Sequence, residues 1–154
     1  MVTMGRAFAA SSVFEIVGLR HKRRESVLAQ LVAAAERLGL VRDPEVLLAT
    51  LSRAQRLGSS ALGKGHVVTH ARSVTVLRSA MLLGRSERGV EWGGEADEPV
   101  QLVLLVLSPA SVAAATHVDH VTEAVRALRL QRTRQKVQEA VPEAVRSVLE
   151  EAPR

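Results

Sequence analysis

The sequence contains no cysteine and no tyrosine, and its aromatic residues are limited to Trp92, Phe8 and Phe14. The absence of cysteine excludes disulfide bonds, iron–sulfur clusters and thiolate metal sites. Because aromatic residues make up only 2% of the chain, the core has to be built from leucine, valine and alanine. The same scarcity disfavours the binding of single-stranded nucleic acids by stacking bases on aromatic side chains.

Long hydrophobic segments are also missing. The longest apolar stretch, Val100 to Leu107, is interrupted by Gln101 and has the length of a strand, whereas a membrane-spanning helix needs roughly 18 apolar residues or more. The N-terminal residues do not have the pattern of a signal peptide, because their apolar character stops at Glu15. We therefore expect a cytoplasmic protein without direct membrane insertion.

The charge balance is basic, with a formal net charge of +5. The arginines are spread over the chain, as in Arg20 to Arg24 and Arg126 to Lys136, and such runs are commonly solvated helix faces. A phosphate-bearing partner or an acidic protein surface is the functional interpretation. Because no DNA-binding motif accompanies the charge, we expect no nucleic-acid partner.

The hydrophobic pattern predicts helices near both ends of the chain and strands in the middle. Apolar residues at helical spacing, and the Asp43-Pro44 pair as a helix start, predict helices over Glu25–Leu38, from Asp43 to Gly58, around Val118–Leu128, over Thr133–Ala140 and over Pro142–Ala152. Strands are predicted at Val13–Leu19, His66–His70, Ser79–Leu83 and Val100–Leu107. This order, without repeats, indicates one α/β domain over residues 1–154, a three-layer α/β/α structure whose central mixed sheet is flanked by helices.

A glycine-rich segment from Leu57 to Ala71 reads Leu-Gly-Ser-Ser-Ala-Leu-Gly-Lys-Gly-His-Val-Val-Thr-His-Ala. It resembles the phosphorylation-site segment of the mannitol/fructose/nitrogen-regulatory IIA family of the bacterial sugar phosphotransferase system. That family has a Ser-Thr pair, Ile-Gly-x-Gly, a short apolar strand and Pro-His. Gly89-Val90-Glu91-Trp92 and the Pro99–Val106 strand are similar to two further motifs of the family, and Thr116-His117-Val118 falls where it has a second active-site histidine at a helix start.

The resemblance implies a phosphoryl carrier with His70 as the acceptor and His117 as a second active-site residue. It places Ser59 and Ser60 at the phosphate. The family's Arg-Glu pair falls on Ala54-Gln55, so that Arg53 or Arg56 would have to supply the positive charge, and the family's proline before the acceptor histidine is Thr69.

Histidine suits this chemistry because neutral imidazole, with a pKa near 6.5, is a good nucleophile and a good leaving group at neutral pH. A Gly-rich loop beside His70 offers backbone N–H groups for phosphate oxygens. A helix start at His117 would favour the phosphoryl dianion, and the His117 ring would add a hydrogen-bond donor.

The implied partners are an HPr-like phosphocarrier protein and, downstream, a IIB component or a regulated protein; no cofactor is implied. The alternative is a phosphorylation-impaired module of the same fold that binds a regulatory partner, which Ala54 and Thr69 favour. A third interpretation is a histidine metal enzyme, since His117 and His120 lie three residues apart on one helix face. No carboxylate occupies an obvious third ligand position.

Overall fold

The computed structural model describes residues 13–57, 60–93, 96 and 98–153. The strands are β1 (Val13–Gly18), β2 (Ala61–Gly63), β3 (His66–Ser73), β4 (Ala80–Val90) and β5 (Val100–Pro109). The helices are α1 (Arg24–Arg37), α2 (Pro44–Arg56), α3 (Ala114–Ala127), α4 (Gln131–Glu139) and α5 (Pro142–Glu150).

The strands form one five-stranded sheet in the order β1-β4-β5-β3-β2. The β1–β4 and β3–β5 pairs are parallel, whereas the β4–β5 and β2–β3 pairs are antiparallel. The central strand β5 therefore has a parallel neighbour on one side and an antiparallel neighbour on the other. The predicted mixed sheet is confirmed.

Strand β5 is buried on both faces, and its side chains alternate between two hydrophobic clusters. Val103, Leu105 and Leu107 belong to one cluster, with the buried residues of α1 and α2. Leu102, Leu104 and Val106 belong to the other, with buried residues of α3, α4 and α5. The two clusters establish the α/β/α layers that the sequence pattern predicts.

The helix α2 begins as the sequence predicts. The side chain of Asp43 accepts a hydrogen bond of 3.4 Å from the backbone N–H of Val46, and Pro44 occupies the first turn, where its missing N–H has no cost. Leu47 and Leu51 are fully buried against the sheet. The helix ends at Arg56, and in its last turn Gln55 is hydrogen-bonded to Ser60 in the segment that precedes β3.

Several elements differ from their predicted bounds by a few residues, and two differences are larger. Strand β4 continues to Val90 instead of stopping at Leu83, with a shift of register between Arg85 and Val90. Polar residues at the shift interrupt the apolar pattern by which a strand is predicted. The Gly/Ser segment, predicted as a loop, contains the short strand β2, which forms a hairpin with the first residues of β3.

Candidate functional site

The imidazole rings of His70 and His117 are in direct contact. The Nδ1 atom of His70 lies 2.9 Å from the Nε2 atom of His117, a hydrogen-bond distance, and the ring centroids are 5.0 Å apart. His70 is half-buried, whereas His117 is 5% exposed. The structure therefore brings together the two histidines that the sequence singles out, although 47 residues separate them.

The sheet register positions His70. It lies on β3 directly opposite Val106 of β5, and alternation along β3 places it on the same face as Val68, which packs in the cluster under α3 to α5. His117 is in the first turns of α3, where its backbone N–H donates to the carbonyl of Ala113 at 3.0 Å. The packing of α3 on this face brings the two rings together.

Burial favours the neutral form of both rings. Desolvation lowers the pKa of His70 below its usual 6.5. The pKa of His117 is lowered to about 4 by desolvation and, further, by the nearby charges of His70, His120 and Arg72. Both imidazoles are consequently neutral at pH 7, and each has one protonated and one unprotonated ring nitrogen.

The strand β3, which carries His70, also carries a cation. Arg72 is two residues after His70 and therefore on the same face of β3. Its Nε donates to the carbonyl of Val112 at 2.6 Å, and one terminal nitrogen donates to the carbonyl of Ala110 at 2.9 Å. These bonds hold the exposed guanidinium against the loop between β5 and α3.

The N-terminus of α3 contributes a second source of positive potential. Its N-cap residue, Ala113, has no side chain that can accept from the free N–H groups, and no acidic residue lies in the first turn. The positive end of the helix dipole is therefore not neutralised by the helix itself, three to four residues before His117.

On the opposite face of β3, the side chain of Gln55 links three parts of the chain. Its Nε2 donates to Thr69 Oγ1 at 3.1 Å and also to the hydroxyl of Ser60. Its Oε1 accepts a 3.1 Å hydrogen bond from the indole Nε1 of Trp92. Thr69 and Trp92 are both buried, so the amide satisfies polar atoms that water does not reach.

The other residues that the sequence predicts to bind phosphate are Ser59, Ser60, Arg53 and Arg56, and the structure places the last three differently. Ser59 lies outside the described residues, and Ser60 is held by Gln55 next to the residue that precedes His70. Arg53 and Arg56 are exposed near the end of α2. Within the described part of the chain, neither arginine forms a hydrogen bond or ion pair with His70 or His117.

The other histidines contribute differently. His66 is buried and directs Nδ1 at the carbonyl of Lys64, 3.2 Å away, as a structural histidine does. His120 is buried on α3, where its charge helps to lower the pKa of His117. Among residues 13–57, 60–93, 96 and 98–153, no group of three histidine, cysteine, aspartate or glutamate side chains is arranged to hold a metal ion.

Sequence reasoning missed two residues of the site, Ser108 and Arg72, and the contacts of a third, Gln55. Ser108 contacts the inner side of His117, with Oγ 2.7 Å from Nδ1. Arg72 lies two positions after the acceptor candidate, and that spacing on a strand is a signal that could have found it. Gln55 departs from the family pattern, but its partners Thr69 and Trp92 are not predictable because they lie 14 and 37 residues away along the chain.

A known family profile matches nearly the whole chain. The sequence profile described as "Phosphoenolpyruvate-dependent sugar phosphotransferase system, EIIA 2" matches residues 12–152. The chain belongs to this family. Membership supports a phosphoryl-carrier role in the phosphotransferase system, which is the activity that the His70–His117 pair suits chemically.

Solved structures share the fold of this EIIA chain. The nitrogen regulatory protein IIA-Ntr from Neisseria meningitidis superposes with a TM-score of 0.77 at 19% identity, over 89% of this chain and 92% of that one. IIA mannitol from Escherichia coli superposes with a TM-score of 0.71 at 20% identity, over 88% and 95%. The same enzyme in complex with phosphorylated IIB mannitol gives 0.69 at 20% identity, over 88% and 93%.

Two curated relatives are fructose-type proteins. The fructose-like EIIA component of Escherichia coli K12 is 31% identical over 75 residues, which cover 49% of this chain and 51% of that protein. The fructose-specific EIIABC component of Bacillus subtilis 168 is 24% identical over 89 residues, 58% of this chain but 14% of that protein. The matched segment thus spans about half or less of either relative. None of the described helices is long and apolar enough to cross a membrane.

Proposed function

We propose that this EIIA chain is a phosphohistidine carrier that accepts a phosphoryl group on Nε2 of His70 from an HPr-like phosphocarrier. The observation that carries the proposal is the 2.9 Å contact between Nδ1 of His70 and Nε2 of His117. Since Nδ1 is occupied by the neighbouring ring, Nε2 is the nitrogen left for phosphorus. Partial burial keeps that ring neutral and nucleophilic at pH 7.

The transfer itself is an in-line exchange between two nitrogen atoms. The lone pair of His70 Nε2 forms a bond to phosphorus while the N–P bond of the donor phosphohistidine breaks, and its electron pair returns to the donor ring. Because the transition state of phosphoryl transfer is loose, the protein contributes mainly position and charge stabilisation. The reverse reaction delivers the phosphoryl group to the next protein.

Arg72 is the cation that the geometry favours for the phosphoryl oxygens, since it shares a strand face with His70 and its charge already acts on His117. The uncapped N-terminus of α3 adds to the positive potential. Ser59 and Ser60 remain proposed hydrogen-bond donors to the phosphate. Arg53 and Arg56, exposed on α2, are proposed to act only on the approaching partner or through a side-chain rearrangement.

The downstream partner is proposed to be a IIB component in sugar uptake or a regulated protein in nitrogen-type control. The fructose-like relative supports the first branch, and the superposition on IIA-Ntr is compatible with the second. Gene neighbourhood distinguishes the branches: a sugar permease next to the gene indicates transport, and a nitrogen sigma factor or kinase indicates regulation.

The test is phosphorylation by phosphoenolpyruvate with enzyme I and HPr. Wild type is expected to acquire an acid-labile, alkali-stable phosphate that His70→Ala does not acquire. His66→Ala, on the same strand face but four residues away, is the matched control and is expected to keep the label. Label on His70→Ala, or loss of label from both variants alike, contradicts the assignment of His70.

A second candidate function rests on Ala54 and Thr69, which occupy the positions of the family's arginine and proline. In that case the chain is a binding module of the same fold whose phosphorylation is impaired. Absence of label on wild type, together with retained binding of a partner, supports this candidate over the carrier.

A further inference from the structure

Ser108 lies behind the histidine pair, at the buried side of His117. Its side chain is fully buried near the end of β5, where it follows a continuous apolar run. Its Oγ atom is 2.7 Å from Nδ1 of His117, and Nε2 of the same ring is 2.9 Å from Nδ1 of His70. Ser108, His117 and His70 therefore form a chain of two short hydrogen bonds from the core to the half-buried ring.

The two bonds are coupled through His117. A neutral imidazole has one N–H donor and one acceptor nitrogen, and both nitrogens of His117 are engaged. If Nδ1 of His117 carries the proton, that nitrogen donates to Ser108, and Nε2 accepts from Nδ1–H of His70. If Nε2 of His117 carries the proton, the chain is reversed, and Nδ1 of His70 has to be the acceptor.

Only one of these arrangements leaves a nucleophile. In the first, His70 is protonated on Nδ1 and its Nε2 has a free lone pair. In the second, His70 is protonated on Nε2, and that nitrogen has no lone pair to offer to phosphorus. Neutral histidine in water prefers the Nε2–H tautomer, so the intrinsic preference of both rings is for the second arrangement.

We propose that Ser108 is a positioning residue that accepts the Nδ1–H of His117 and thereby keeps Nε2 of His70 unprotonated. The inference deepens the proposed carrier function and rests on it for its consequence in phosphoryl transfer. It assigns His117 the role of hydrogen-bond acceptor for His70 instead of donor to the phosphoryl group. A serine hydroxyl suits the task because its oxygen has lone pairs that can accept the Nδ1–H of an imidazole.

The same arrangement serves the covalent step. When Nε2 of His70 bonds to phosphorus and the donor's N–P bond breaks, the electron pair leaves with the donor nitrogen and positive charge develops on the His70 ring. The proton on Nδ1 stays in place, and the lone pair of His117 Nε2 stabilises it. Outer partners that orient a functional imidazole in this way typically change its activity by about 10- to 100-fold, a range known from metal-binding histidines.

The experiment compares Ser108→Val with Ser108→Thr, which have the same shape and differ only in the hydroxyl. Nitrogen-15 NMR of histidine-labelled, unphosphorylated protein at pH 7.5 reports which ring nitrogen carries the proton. We expect the Nδ1–H tautomer for His70 and His117 in wild type and in Ser108→Thr. In Ser108→Val both rings are expected to shift towards the Nε2–H tautomer.

Phosphoryl uptake is measured in parallel with phosphoramidate, a small donor whose N–P bond breaks to release ammonia and which needs no protein partner. Uptake is expected to fall about 10- to 100-fold in Ser108→Val relative to Ser108→Thr. Wild-type rings in the Nε2–H tautomer, or equal tautomers and equal rates in the two variants, overturn the inference. Because the NMR signature does not require phosphorylation, wild type with the expected tautomers but no uptake contradicts the carrier function and leaves the proton arrangement standing.

Discussion

The indole Nε1 of Trp92 donates a hydrogen bond of 3.1 Å to Oε1 of Gln55, whose Nε2 in turn donates to Thr69 Oγ1 at 3.1 Å. Gln55 and Thr69 are two positions at which the sequence departs from the family pattern. The structure shows that these two residues are hydrogen-bonded to each other. A proline at 69 would offer no hydroxyl to this amide, so the glutamine and the threonine are matched.

Replacing the Gln55 amide tests how much it contributes to the free energy of unfolding. Gln55→Leu leaves the buried indole N–H of Trp92 and the buried hydroxyl of Thr69 without their partner, which is expected to lower the free energy of unfolding by about 1–3 kcal/mol. Urea denaturation followed by Trp92 emission measures the change, since Trp92 is the only tryptophan. Gln135→Leu, at an exposed position on α4, is the control and is expected to stay within about 0.5 kcal/mol. Equal losses in both variants would contradict the role of Gln55.

The charge of Arg72 is expected to act on the histidine pair. Arg72→Gln should raise the pKa of His117 above its value of about 4, because the guanidinium is one of the charges that lower it. Phosphoryl uptake should fall roughly tenfold, less than on loss of a buried oxyanion donor because the guanidinium is exposed. An NMR titration and the phosphoramidate assay measure the two effects. Arg78→Gln removes another exposed arginine and should leave both unchanged.

Phosphoryl uptake should remain effective at pH values where a free histidine loses reactivity. Because burial lowers the pKa of His70 below 6.5, the neutral nucleophile persists as the solution is acidified past that point. The rate is therefore expected to fall with an inflection below pH 6.5. N-acetylhistidine with the same phosphoramidate solutions corrects for changes in the donor. An inflection above 6.5 is incompatible with a desolvated ring.

The stability of the fold is expected to decrease on acidification. His66, His70 and His117 all have folded-state pKa values below the unfolded value near 6.5. Between those values the unfolded chain binds more protons than the folded chain, so the free energy of unfolding rises with pH. Their contribution is fully present above about pH 6.5 and is lost towards pH 4, where His117 titrates. Urea unfolding at several pH values tests this, and His117→Gln should reduce the slope.

Partner docking should depend on the surface next to His117. Val118 is 57% exposed and directly follows His117 in α3. Val118→Lys is expected to slow phosphoryl transfer from HPr by about tenfold or more, as loss of a contact worth 1.4 kcal/mol does. Uptake from phosphoramidate should be unaffected. Val141→Lys, 62% exposed between α4 and α5, is the control. Equal slowing with both donors would place the defect in the chemistry instead of in docking.

The sequence predicts most of the fold because its periodic signals are strong. The apolar run of β5 and the Asp43-Pro44 start of α2 each point to one structure, and the structure has both. The second half of β4 was missed because Gly84, Arg85 and Ser86 interrupt its apolar pattern. A Cβ atom at position 84 would lie 2.7 Å from the side chain of Leu19, so that a larger residue there would require this side chain to move.

The site was predictable only where residues act through a local motif. His70 and His117 each belong to a recognisable short segment, so their pairing follows from the resemblance. Ser108 has no such segment: a single polar residue after an apolar run normally marks only the end of a strand. Its contact with His117 depends on the way α3 returns over the sheet, which no local pattern encodes.

The parallel pairing of β3 with β5 extends from His66 to Ser73, so that the backbone on both sides of His70 is fixed by the sheet. A protein that takes up and passes on the same phosphoryl group transfers it fastest when neither direction requires the backbone to rearrange. With His70 and Ser108 carried by adjacent hydrogen-bonded strands, loading is expected to move protons and side-chain torsions while the main chain stays where it is. The reorganisation energy is then expected to be small, so that uptake and release of the phosphoryl group both meet a low barrier.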